Sequence, residues 1–150
     1  MKRAYYMRGL MDMGGALTHN AANEIATTLT EHGYFVQVGE WTDLQRFLAD
    51  ALEHPSDFIL LSGHSMGCKA SFDGAPRLME AKIKVRVVGL DPLCTGPSYT
   101  KGLDATNIWG NACGALGPIP GAKNIFLPAG PHITYPNQPQ VQAAFIKAAT

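Results

Sequence analysis

Charge is scarce in this 150-residue chain: only 16% of residues are ionic, and the basic and acidic side chains cancel to a formal net charge of zero. A surface so weakly charged has no electrostatic footprint for a nucleic-acid backbone or an anionic membrane, so neither is expected as a partner. Cysteine is equally sparse. Cys68, Cys94 and Cys113 are odd in number and form no C-x-x-C pair, which argues against a disulfide framework and a zinc site and leaves free thiols and no metal as the expectation. No run approaches the roughly 18 apolar residues that span a bilayer, so no membrane insertion is expected. Met1-Lys2-Arg3 has the basic character of an export-signal start, but Arg8 and Asp12 interrupt the apolar stretch that would have to follow. The expectation is therefore a cytoplasmic protein.

What is present is alternation. Strand-like segments (4–8, 34–38, 58–62, 85–90 and 123–127) alternate with helix-like ones (about 18–32, 42–54, 66–80 and from 137 onward), the pattern of a mostly parallel sheet with helices on both faces. Residues 1–150 read as one domain, long enough to bury about 70% of the unfolded surface. Thr42 with Gln45 reads as a capping box for the second helix. Gly74 and Pro76 should bend or break the third. The segment 92–122, rich in glycine and proline, reads as a long loop, and loops of that length usually cover a site.

The most informative stretch is Gly63-His64-Ser65-Met66-Gly67, directly behind Phe58-Ile59-Leu60-Leu61. It has the G-x-S-x-G form of a nucleophile elbow, where a strand turns sharply into a helix and lifts the serine hydroxyl above the sheet edge. Side chains at positions 63 and 67 would collide with backbone across so tight a corner.

A serine hydroxyl is a weak nucleophile, so hydrolysis needs a base and a group to orient that base. In the order Ser, acid, His, only His132 of the five histidines lies well beyond Ser65. The acids after Ser65 are Asp73, Glu80, Asp91 and Asp104. Asp73 and Glu80 fall on the helix behind the elbow. Asp91 follows Val87-Val88-Gly89-Leu90, so a parallel strand would deliver it to the same sheet edge as Ser65, with Asp104 as the fallback. An oxyanion hole needs backbone donors. The Met66 amide fills one position, and the loop Arg8-Gly9-Leu10 offers a second at Leu10, with Met11 as the alternative. Trp109 and Ile108 are candidates to line the substrate site, and His64 to pack or support from beside the nucleophile.

With these residues the chain resembles the α/β-hydrolase superfamily, and within it small lipase-like or esterase-like serine hydrolases. Arg8-Gly9-Leu10 is similar to the His-Gly-X oxyanion loop of bacterial lipases, Gly63-His64-Ser65-Met66-Gly67 to the lipase elbow, and Gly89-Leu90-Asp91-Pro92 to the acid turn of pancreatic-type lipases. The resemblance implies a minimal version of the α/β fold, about five mostly parallel strands with no cap domain and no counterpart of the family's first two strands. Arg8 replaces the family's histidine.

The resulting expectation is a cofactor-independent serine hydrolase acting on a small-molecule or acyl-ester substrate. Ser65 is the nucleophile, His132 the base and Asp91 its orienting acid. A thioesterase or acyltransferase using the same centre is the neighbouring alternative, and a non-catalytic binding module on the same fold is the alternative of another class. An open sheet also leaves edges that a second copy of the chain could cover as a homo-oligomer.

Overall fold

The computed structural model describes residues 1–9, 19–54, 56–92, 97–110 and 117–150, with His19 described by its backbone alone. Six strands form one sheet: β1 (Lys2–Arg8), β2 (Tyr34–Glu40), β3 (Phe58–His64), β4 (Val85–Leu90), β5 (Asp104–Trp109) and β6 (Lys123–Phe126). Their spatial order is β2-β1-β3-β4-β5-β6, and every neighbouring pair is parallel. The helices are α1 (His19–Glu31), α2 (Leu44–Glu53), α3 (Met66–Glu80) and α4 (Pro139–Ala149).

Strand alternation divides the core into two layers. On one face, Tyr5, Met7, Ile59, Leu61 and Val87 pack against Phe47 and Leu48 of α2 and Phe72 and Leu78 of α3. On the other, Tyr6, Leu60, Val88, Leu90 and Ile108 meet Ile25 and Leu29 of α1 and Val141 and Phe145 of α4. Strands β1, β3 and β4, covered on both sides, therefore read as near-continuous apolar runs. Among the described residues, no helix is long and apolar enough to cross a membrane.

Three local expectations are corrected. The segment 92–122 contains β5, giving six strands where about five were expected. Its polar residues hide the strand: Asp104 pairs with Arg86 across 2.7 Å, and buried Asn107 donates to Gly117 O and Asn124 Oδ1, both at 3.0 Å. The helix-start signal lies earlier than Thr42. A 3-10 turn, Trp41–Asp43, precedes α2, and the Asp43 carboxylate accepts the Glu40 amide at 2.9 Å. Finally, α3 runs unbroken from Met66 to Glu80 with Pro76 inside it. Gly74 serves packing instead, because a Cβ there would lie 2.7 Å from Leu44 Cδ1.

Strand β6 is short and lies at the sheet edge, so side-chain bonds do much of the anchoring. Asn124 Oδ1 accepts the Ile119 amide at 2.8 Å, and its Nδ2 donates to the Ile119 and Ala122 carbonyls, both at 2.9 Å. Asn124→Ala should lower stability by about 2 to 3 kcal/mol, since it leaves the Ile119 amide without its acceptor and Asn107 with Gly117 O alone. Urea denaturation, compared with Asn107→Ala and the double variant, measures this coupling.

Candidate active site

The register of the parallel strands determines what meets at their carboxyl edge. Gly63 pairs with Gly89 and His64 with Leu90, so Ser65 and Asp91 are the next residues beyond a level pair of strand ends. The Ser65 amide extends the ladder by donating to Leu90 O at 3.0 Å, and the Asp91 amide donates to Ile108 O at 2.8 Å. Both residues then turn through the left-handed region, with φ of 59° at Ser65 and 44° at Asp91. Such a conformation is strained for a residue with a side chain and persists when its surroundings over-determine it.

The elbow also needs close backbone approach. A Cβ on either Gly63 or Gly67 would overlap the Met7 carbonyl oxygen, so these two glycines let the corner press against β1. Gly9, which ends β1, has a comparable constraint. A Cβ there would stand 2.6 Å from Ser65 Cβ and 3.0 Å from its Oγ. The glycine after Arg8 is thus required by the proximity of the serine itself.

His132 comes from the 3-10 segment His132–Asn137 between β6 and α4. Its Nε2 lies 3.0 Å from Ser65 Oγ and its Nδ1 lies 2.6 Å from Asp91 Oδ2. With the aspartate ionised, the neutral imidazole donates Nδ1–H to it, and Nε2 is left to accept the serine proton. The other carboxylate oxygen is also engaged: Gly110 N–H donates to Asp91 Oδ1 at 3.1 Å. Asp91 is wholly buried, and Ser65 and His132 nearly so. This geometry unites the three side chains singled out from the sequence. Asp104, the fallback acid, starts β5 at the opposite edge of the sheet, where Arg86 holds it.

His64 occupies an unusual position. Its ring centroid is 4.6 Å from that of His132, at an interplanar angle of 39°. Its Nε2 is buried with no hydrogen-bond partner among the described residues. Burial, reinforced by repulsion from His132 and only partly opposed by Asp91, pushes its pKa down to about 3. The ring is therefore neutral throughout the physiological range.

The other sequence candidates fall into separate places. Met66 opens α3, and the first amides of a helix have no intrahelical acceptor, so its N–H is available at the elbow. Leu10 and its alternative Met11 lie outside the described residues. Ile108 is fully buried in the α1–α4 layer, a core position rather than a substrate-lining one, and acts on the site through its carbonyl bond to Asp91. Trp109 is half-buried against Phe126, ring centroids 4.6 Å apart. Arg8, in place of a histidine, pairs with Glu40 across 2.5 Å and joins the ends of β1 and β2. Sequence reasoning missed Gly110 and Gly9, since one acts through a backbone amide and the other through the absence of a side chain.

Donor atoms of His64, Asp91 and His132 lie within 4.8 Å of one another, a spacing that could suit a metal ion. Two of the three are already committed. An ion bound by His132 would displace its bond to Asp91 at Nδ1 or its bond to Ser65 at Nε2, so the donor set fits the hydrogen-bonded arrangement better than metal coordination.

The neutral state of His64 has a consequence for stability. Its folded pKa lies below the unfolded value of 6.5, so as pH falls below 6.5 the unfolded chain takes up a proton that the folded chain refuses. The contribution is intact above pH 6.5 and is lost progressively down to about pH 3. Between pH 7.5 and 4.5 the native protein should lose about 2 to 3 kcal/mol more stability than His64→Gln. Urea denaturation of both proteins at the two pH values checks this.

No protein-family model matches the chain, and no curated protein matches its sequence. Among solved structures, it is similar to a candidate hydrolase of the alpha/beta superfamily from Xanthomonas campestris pv. campestris, with a TM-score of 0.68 and 16% identity over 97% of this chain and 96% of that one. At that identity the likeness concerns architecture, and the architecture of this chain is the α/β-hydrolase fold.

Proposed function

We propose that the protein is a serine hydrolase that cleaves carboxylic esters through an acyl-enzyme intermediate. The observation that carries this reading is the unbroken path from Asp91 through His132 to Ser65, with bonds of 2.6 and 3.0 Å. The hydrolase fold supports it independently.

In the proposed reaction, Ser65 Oγ attacks the ester carbonyl carbon while His132 Nε2 takes the hydroxyl proton. The carbonyl π electrons move onto oxygen, and the Met66 amide donates to that oxyanion, with Leu10 as the proposed second donor. The intermediate collapses, the bond from carbon to the alcohol oxygen breaks, and His132 returns the proton to the departing alcohol. Water then attacks the acyl-serine with the same proton traffic, releasing the acid and restoring Ser65. Asp91 keeps its negative charge throughout. Its carboxylate, held by Gly110 N–H and His132, orients the ring and stabilises the imidazolium. The reaction draws on groups of this chain and water alone.

The starting geometry suits this sequence because the serine is already within proton-transfer range of its base. A fluorophosphonate probe should label the native protein and leave Ser65→Ala unlabelled; native protein that resists labelling would contradict the proposal. Replacing Ser65 or His132 by alanine should lower kcat for p-nitrophenyl acetate on the order of 10⁴- to 10⁶-fold. Matched oxygen and thioesters, assayed side by side, separate an esterase from a thioesterase that uses the same centre.

A further inference from the structure

The cavities around the described residues differ sharply in their relation to the site. One lies between α1 and α4, lined by Ile25, Thr28 and Ile146 among others. A second lies at the amino edge of the sheet, beside Phe58, Lys82 and Asp104. Neither includes a residue of the candidate site. The third, about 420 Å³, lies between the Trp41–Asp43 turn with the start of α2 and the first two turns of α3. It is lined by Met66, the residue after Ser65. Its volume falls within the range of small-molecule pockets.

We infer that this groove receives the acyl limb of the ester, and that the limb it accepts is an uncharged hydrocarbon chain. The inference rests on the esterase reading above and names the substrate class for that site. Its first support is continuity: Met66 offers its amide to the proposed oxyanion and its half-buried side chain to the groove wall. The second support is orientation. His132 must protonate the departing alcohol, so the alcohol lies on the side of the carbonyl facing His132. His132 arrives from the segment that packs with α1 and α4, whereas the groove lies with α2 and α3 on the other face of the sheet. The remaining substituent on the carbonyl carbon, the acyl limb, is directed away from the base and toward the groove.

The third support is chemistry. Trp41, Leu44, Met66 and Ala70 give the groove apolar walls. From Met66 to Asp73 it follows α3 for about 10 Å at 1.5 Å per residue. Lys69 and Asp73, which form an ion pair on that helix, stand at its far end. Lys69 is thereby neutralised within the protein, and the far end offers no unpaired cation for a terminal carboxylate. A hydrocarbon chain can cover the walls and stop at the ion pair without desolvating a charge of its own.

The test is kcat/KM for p-nitrophenyl acetate, hexanoate and monosuccinate, and for acetates of lengthening alcohols, in the native protein and two variants. Ala70→Phe fills the groove from α3. Thr42→Trp fills it from an exposed rim position. Both should lower the hexanoate-to-acetate ratio about tenfold or more. The native protein should prefer hexanoate over monosuccinate, and Glu31→Trp, remote on α1, should leave all ratios unchanged. A hexanoate ratio unaltered in Thr42→Trp, a preference for monosuccinate, or variants that alter only the alcohol series would overturn the groove assignment while the esterase reading stands. A native protein that neither hydrolyses any of these esters nor takes the fluorophosphonate label would remove the esterase reading, and the groove assignment with it.

Discussion

Two parallel strands end level only when their register is held, and in this protein the register of β3 and β4 is carried one residue past the strands by the Ser65 amide bonded to Leu90 O at 3.0 Å. That bond sets Ser65 and Asp91 side by side at the turn. A slip of β4 by one residue would exchange the faces of its side chains, bringing Arg86 to the layer where Val87 now packs. The geometry of the candidate site and the core are thus specified by the same hydrogen-bond ladder. Strand β5 extends the arrangement, since Ile108 O receives the Asp91 amide and Gly110, just beyond the strand, donates to its carboxylate.

Burying a carboxylate, a hydroxyl and two imidazoles at one edge is costly unless each polar atom finds a partner. Asp91 has a donor on each oxygen, and both nitrogens of His132 are engaged. The exception is His64 Nε2. A ring at that position touches His132 and fills the space beside it, but burial keeps it uncharged. In the proposed reaction, a charged ring there would stand against the imidazolium that His132 forms, and burial of His64 removes that conflict.

The sequence made the edge legible because its chemistry is tied to chain order and to steric extremes. Glycines at positions 63 and 67 mark a corner no other residue fits, and one histidine and one strand-end aspartate follow in order. The sheet was readable where strands are buried on both faces, as in Ile59-Leu60-Leu61. It was not readable at β5, where Asp104 and Asn107 break the apolar run for reasons that exist only in three dimensions: an ion pair with Arg86 and a hydrogen-bond clamp to Asn124. The start of α2 escaped for a similar reason, because Asp43 closes a turn before the helix that Thr42 and Gln45 seemed to begin. Gly9 could be seen as a strand end, but its distance from Ser65 is a property of the assembled sheet.

The two faces of the sheet contribute unequally to the edge. From the α1–α4 side comes the segment bearing His132, fixed by Tyr135, whose hydroxyl donates to Leu127 O at 2.7 Å and whose ring closes on Gly110. From the α2–α3 side comes the amide of Met66, placed by a helix whose first residue follows Ser65 without an intervening loop. His132 and the Met66 amide therefore reach Ser65 from opposite layers, joined by the sheet between them. The parallel register brings the two contributions level at one edge. A change in the packing of α4 should therefore disturb His132 before the Met66 amide, and a change in α2 the reverse.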